Sequence, residues 1–363
     1  AYDTTNWHPL NTSSALAVGA NLQVVEGLYE FDYSDFTAHK ALAKDDEPTK
    51  IDDTTYEVAL RDGAKFSDGT PVTSEDVVTS YKRIVDGEKD SSGTDVTSPY
   101  AAFITFIDSI EAKDDTTVTI KLNQPMEFLK TRLADIKVVP KDSTFDDMTS
   151  KPVGSGPYKY DSITDTTVDM SVNENYNGPN PATVEKIHYD CNRDSNARQT
   201  AALDGTTDVV EAVDPSGISD LEAAGWKVEG ATGYGIGMIV FNTTKAPFNS
   251  NKTRQGVLTA IDKKTLIDTA LVGAGTEPDS FLPEYNPMHK KAATQFTFDA
   301  DKAKSLLKEG GAEGATVNVL TTTDTWIAAM GPQIKQNLEA VGLKVHLDLS
   351  LIHISEPTRL LSI

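Results

Sequence analysis

The chain has 363 residues, 38% hydrophobic and 24% charged, with 55 acidic against 33 basic side chains and a formal charge of −22. One hydrophobic core stops growing before this length, so two or three lobes are expected, and no apolar run is long enough to span a bilayer. So acidic a surface repels the phosphates of a nucleic acid, which excludes that class of partner.

Leu16, Val18, Leu22 and Val25 recur at helical spacing and predict a helix over 16–26, stopped by Gly27. Tyr56, Val58 and Leu60 alternate with polar neighbours and lead through Asp62-Gly63 to Lys65-Phe66, a hairpin pattern, with a second turn at Asp68-Gly69. Thr73 with Asp76 three residues on reads as a capping box for a helix that buries Val77, Val78, Tyr81, Ile84 and Val85. Alternation at 118–122 adds a strand, so that 31–139 forms a compact α+β unit, and 140–152 reads as a connector. The runs Asp52-Asp53-Thr54-Thr55 and Asp114-Asp115-Thr116-Thr117 read as solvated turns.

From Lys186 the pattern becomes strand (187–191), helix (196–203, closed by Gly205) and strand (209–212), a parallel crossover unit. Asp214-Pro215 caps a further short helix ended by Gly225, and strands are expected at 226–229 and 238–241. Helices follow at 252–260, 263–271 and 300–309, the last between Asp299 and Gly310-Gly311. A strand at 317–320, a helix with Ile327, Met330, Ile334 and Leu338 on one stripe, and a strand carrying Leu343, Val345 and Leu347 complete an α/β pattern.

Patterns of catalytic chemistry are missing. His8, His39, His188, His289, His346 and His353 lack the spacing that sets two imidazoles on one metal, so neither a metal nor a cofactor is expected. Gly154-Ser155-Gly156-Pro157 puts its serine in a glycine turn, not on a strand-to-helix corner. Gly233-Tyr234-Gly235-Ile236-Gly237 is followed by a strand pattern where a dinucleotide loop needs a helix. No Gly-Lys-Ser or Gly-Lys-Thr phosphate cradle is present, and Cys191 stands alone. Paired carboxylates for glycoside hydrolysis stay open, since 55 acids allow many spatial pairs, and a hydrolase of extracellular polymers is the alternative class.

Several segments in order carry a family pattern: Gly27-Leu28-Tyr29, then Phe66-Ser67-Asp68-Gly69-Thr70-Pro71-Val72-Thr73, then Gly154-Ser155-Gly156-Pro157-Tyr158, Asn175-Tyr176, Phe241-Asn242-Thr243 and Pro247-Phe248. Together they resemble the dipeptide/oligopeptide-binding family of ABC-importer solute receptors, family 5, over about residues 6–347. Gly256 departs from it, where the family carries a larger helix former.

The resemblance implies a periplasmic-binding-protein-like (Venus-flytrap) α/β fold of two lobes with an extra inserted α+β lobe. Lobe I would comprise 1–30 and 151–248, inserted lobe II 31–150, and an incomplete lobe III 249–348. It implies a non-enzymatic receptor that captures peptides in an interlobe cleft and delivers them to a membrane permease with its ATPase subunits; nickel, haem, opines or oligosaccharides are alternative ligands. Ser13, Ala15, Tyr100, Tyr234 and Trp326 match segments that line the cleft, against bland readings in which the aromatics pack and Ser13 caps a helix. The expected protein is a monomer outside the cytoplasm, periplasmic or a cell-surface lipoprotein, touching the membrane only through an anchor upstream of Ala1.

Residues 349–359, Leu-Ser-Leu-Ile-His-Ile-Ser-Glu-Pro-Thr-Arg, resemble the in-frame translation of a sequencing adapter, and 349–363 are read as non-native. The resemblance then implies a third lobe cut short, with apolar surface exposed and weak ligand binding by this chain.

Overall fold

A computed structural model describes residues 4–32, 37–230, 235–286, 288–322 and 325–350. The chain divides into two compact units, Ala1–Arg193 and Asp194–Ile363.

In the first unit, α1 (Ala15–Val24) begins after Ser14 and ends at Val25, both extended, so it stops short of Gly27. Gly27 instead bridges Lys137, and a Cβ there would lie 2.7 Å from the Ile136 carbonyl, an approach that only glycine permits. A hairpin of β1 (Tyr29–Asp32) and β2 (Thr37–Lys40) follows. Next come β3 (Thr49–Lys50), β4 (Thr55–Ala59), α2 (Ser74–Asp86) and the short pair β5 (Glu88–Lys89) and β6 (Asp95–Val96). With β7 (Ile107–Asp114) and β8 (Thr117–Leu122) they complete an antiparallel sheet of order β3-β4-β8-β7, on which α2 packs.

The hairpin expected from Tyr56 to Phe66 is not formed, because β4 pairs with β3 and β8 while Lys65 bridges only Pro71. Its turn chemistry holds: Gly63 and Gly69 sit at φ +70° and +90°. The capping box at Thr73 and Asp76 opens α2, which buries Val77, Val78, Tyr81 and Ile84 but leaves Val85 47% exposed. After α3 (Leu129–Leu133), the expected connector contains α4 (Phe145–Ser150), opened by a second capping box of Thr144 and Asp147. An antiparallel sheet of order β11-β10-β9 closes the unit, built from β9 (Tyr158–Ile163), β10 (Thr167–Val172) and β11 (Lys186–Asp190). One core runs through all of it, from Trp7, Leu10 and Val24 through Ile84 and Ile120 to Tyr160 and Met170.

The second unit has α5 (Ser195–Leu203), capped by Asp194, and α6 (Ile218–Ala223), entered through the turn that Asp214 and Pro215 begin. Helices α7 (Asn251–Ala260), α8 (Lys263–Ala270) and α9 (Ala300–Glu309) lie close to the expected bounds. The parallel crossover appears here: β12 (Thr316–Thr322) runs through α10 (Thr325–Ala340) to β13 (Lys344–Ser350), paired in parallel. Val257, Ala260, Leu307, Val317, Leu338 and Val345 belong to its core. Gly256 has a packing reason, since a Cβ there would sit 3.0 Å from Leu307 Cγ where α7 meets α9.

Three expected strands are not strands: 209–212, 226–229 and 238–241 take no regular secondary structure, and β11 is antiparallel, so no parallel crossover joins 187 to 212. A β-prone run becomes a strand only where a neighbouring edge supplies hydrogen-bond partners. No described strand takes them up, and Val209 and Val240 are 81% and 88% exposed.

Candidate functional site

The first turn of α1 and the segment before it carry two of the expected site residues, Ser13 and Ala15, both exposed. The helix is entered from Ser14, so Ser13 does not take the cap position. Upstream, the amide of Leu10 donates to Nδ1 of the buried His8 at 3.1 Å, and His8 Nε2 lies 3.1 Å from Glu88 Oε1. Asn21 anchors the helix from the inside: its amide donates to Trp7 O at 2.9 Å and its Oδ1 accepts from Tyr160 at 2.8 Å. Burial pushes the Tyr160 hydroxyl well above the ordinary tyrosine range, so it stays a donor.

Tyr100 meets this segment from 88 positions further along the chain. Its hydroxyl donates to Thr12 O at 2.8 Å, Ser98 Oγ donates to Leu10 O at 2.5 Å, and Asn11 Nδ2 donates to Thr97 O at 3.4 Å. Residues 97–100 thus clamp residues 10–12, and the structure brings Ser13, Ala15 and Tyr100 to one place. Tyr100 is half-buried, its side chain packed against the core of the first unit and its hydroxyl engaged by Thr12, a geometry that also suits a packing role. Sequence reasoning missed Thr12 and Ser98, which are buried; the Ser-Pro-Tyr segment that drew attention to Tyr100 was the one available signal.

Tyr234 lies outside the described residues. Trp326 belongs to the second unit, near the start of α10, 41% exposed, with its ring 3.6 Å from where a Cβ on Gly237 would be.

The family-bearing motifs form a frame behind α1. Gly156 N donates to Val24 O at 2.8 Å, and a Cβ on Gly154 would lie 2.0 Å from that carbonyl, so the Gly-Ser-Gly turn exists to let two backbones touch. Ser67 N donates to Gly154 O at 2.9 Å, Asn175 Nδ2 to Ser67 O at 3.2 Å and Asn173 Nδ2 to Gly156 O at 2.8 Å. Arg61 closes the frame on Glu26 and lies over the Tyr176 ring, 5.5 Å from its centroid. Burial pushes the Glu26 carboxyl up, against the opposing pull of Arg61. Among the described residues, no three His, Cys, Asp or Glu side chains are grouped to hold a metal ion, and no helix is long and apolar enough to cross a membrane.

The fold is that of periplasmic binding proteins. A dipeptide binding protein from Pseudoalteromonas sp. SM9913 in complex with Met-Leu superposes with a TM-score of 0.80 at 20% identity, covering 96% of this chain and 74% of that one. NikA from Staphylococcus aureus in complex with Ni(L-His)2 gives a TM-score of 0.80 at 20% identity, over 96% and 72%. The family described as bacterial extracellular solute-binding proteins, family 5 Middle, matches residues 37–350, and the chain belongs to it. Heme-binding protein A of Haemophilus influenzae is 29% identical over 92% of this chain and 65% of its own length. Di/tripeptide-binding protein 1 of Pseudomonas aeruginosa is 25% identical over 74% and 54%. The chain therefore spans between about half and two thirds of the length of these relatives.

Proposed function

We propose that this chain is the ligand-capturing part of an ABC importer's receptor, working outside the cytoplasm and handing peptides to a membrane permease without turning them over. The observation that carries this reading is the clamp on residues 10–12, which gathers Ser13, Ala15 and Tyr100 at the entry of α1. Exposed side chains on a rigidly held segment suit recognition, since ordering them on binding costs little. Ser13, Ala15 and Tyr100 are read as ligand contacts, with Tyr234 and Trp326 completing the set. The lobes are read as 1–30 with 151–248, 31–150 and 249–348. Peptide is the ligand read here because peptide-binding names recur among the relatives and a Met-Leu complex shares the fold; the haem-binding relative, matched over more of the chain, and the nickel-binding structure, superposed equally well, make haem and nickel the ligands to test against it.

A thermal-shift series tests it, with millimolar Met-Leu and Ser-Thr-Ser-Ala set against haem and nickel with histidine. A ligand at a hundredfold its Kd adds about 2.7 kcal/mol to stability, readily seen as a raised midpoint. A rise with the peptides supports the reading. A rise with haem or nickel alone replaces peptide as the ligand, and a peptide recovered cleaved rejects the receptor.

A further inference from the structure

We propose that the groove between α2 and the outer edge of β7 is a docking surface for an extended, cationic segment of a partner protein, taken up as an added strand. The groove holds about 460 Å3. Its floor is apolar, with Val78, Tyr81 and Ile110 buried and Val85 lying 47% exposed in it. Val85 has the helical spacing of a core residue but no core over it, which is how a residue looks when its cover comes from outside.

The backbone beside this floor is open to pairing. Among the described residues, β7 ends the sheet and pairs only with β8. Register shifts between Ile107 and Ser109 and between Ala112 and Asp114 bracket a short regular stretch, Ser109 to Ala112. Bulges of this kind protect an edge against indiscriminate pairing and limit an added strand to about four residues. The Tyr81 hydroxyl donates to Ile107 O at 3.1 Å and pins α2 alongside the edge, so both walls are preformed.

Charge selects the occupant. Glu75, Asp86, Asp108 and Glu111 rim the groove against the single base Lys82. No ion pair engages any of the four acids among the described residues, whereas many other surface acids of this unit are paired, such as Glu57 with Lys113 and Asp62 with Lys44. An extended segment that alternates apolar and basic side chains would set one row on the floor and the other toward the rim while its main chain joins the edge.

The test uses the whole chain and two blocked eight-residue peptides, one alternating valine and lysine, the other valine and glutamate. Fluorescence anisotropy should show saturable binding of the lysine peptide alone, weakened at least tenfold between low and moderate salt. Hydrogen exchange should slow at residues 109–112 on binding. Asp108→Asn with Glu111→Gln should weaken binding tenfold or more while far-UV circular dichroism is unchanged. Asp45→Asn with Asp46→Asn, on a separate exposed loop, should leave it unaltered. Absence of binding, protection elsewhere, or equal losses in the two double variants would overturn the proposal, the last revealing only diffuse attraction to an acidic surface.

Discussion

Arg61 lays both terminal nitrogens on the Glu26 carboxylate, Nη1 to Oε1 and Nη2 to Oε2 at 3.1 Å each, with Nε donating to Asn177 Oδ1 at 2.8 Å. The side chains of Arg61 and Glu26 are only 14% and 6% exposed, so each depends on the other for its charge to be tolerated. The pair ties the end of α1 to the turn after β4 and to the Asn175-Tyr176 stretch.

Removing one member should therefore cost more than removing both. Arg61→Met is expected to lose about 3–5 kcal/mol by stranding a buried carboxylate, and adding Glu26→Gln should recover part of it. Urea unfolding followed by fluorescence of the buried Trp7 reads both. A single-variant loss under about 1 kcal/mol would mean that water reaches the pair.

Two glycines should respond in opposite directions. At Gly154 a Cβ would meet Val24 O at 2.0 Å, so Gly154→Ala should cost about 3 kcal/mol or more, at or beyond the usual range of overpacking, or prevent folding. Gly19 lies within α1 with no atom within 4 Å of such a Cβ, and Gly19→Ala should gain about 0.5–1 kcal/mol from helix propensity. Melting midpoints of the two variants decide the matter.

The clamp on residues 10–12 should be separable from the fold. Ser98→Ala removes two hydrogen bonds, from its Oγ to Leu10 O and from Tyr100 N to its Oγ, and Tyr100→Phe removes one, each worth about 1 kcal/mol. Exchange at the amides of residues 12–15 should speed up several-fold while the midpoint moves by only a few degrees. If Ser13 and Ala15 contact ligand, peptide affinity should fall in parallel. Unchanged exchange would show that the segment is held by other bonds.

His188 gives a pH signature. Its Nδ1 lies 2.7 Å from Asp169 Oδ1 and its Nε2 3.4 Å from Asp190 Oδ1; the hydrogen bond that the ring donates to Asp169 raises the imidazole above its ordinary 6.5 and lowers the Asp169 carboxyl below 3.8. A raised histidine stabilises fully below its unfolded value and loses that contribution as pH rises through the folded one; a lowered aspartate loses its contribution as pH falls through its folded value. Pairing is thus strongest between the two, and because the ring is solvent-exposed the stability effect should be small. NMR titration of His188 should show the raised value, and Asp169→Asn should bring it back toward 6.5; an unaltered titration in that variant would assign the shift elsewhere.

Local signals were legible wherever the chain supplies its own partners. Thr73 and Asp76, Asp194, Ser250, Asp262 and Asp299 cap their helices through short-range bonds written in adjacent residues, and Gly205, Gly225 and Gly342 turn the chain at positive φ. α4 was hidden inside a supposed connector because six residues give too little periodicity, although Thr144 and Asp147 spelled the same cap. The site was legible only as scattered residues: nothing near Tyr100 in sequence announces Thr12, its partner 88 positions away.

By itself the sequence determined the longer helices and their caps, the turns, the acidic surface and, through motifs that set backbones in contact, membership of the solute-binding family. Tertiary structure alone decided which β-prone runs became strands and in which direction they paired. Residues 187–191 found β10 and ran antiparallel, 317–320 found β13 in parallel, and 209–212 and 238–241 found no described strand. Helices carry their hydrogen bonds within the segment that forms them, whereas a strand's lie on another segment, so its fate is set by what the rest of the chain brings alongside.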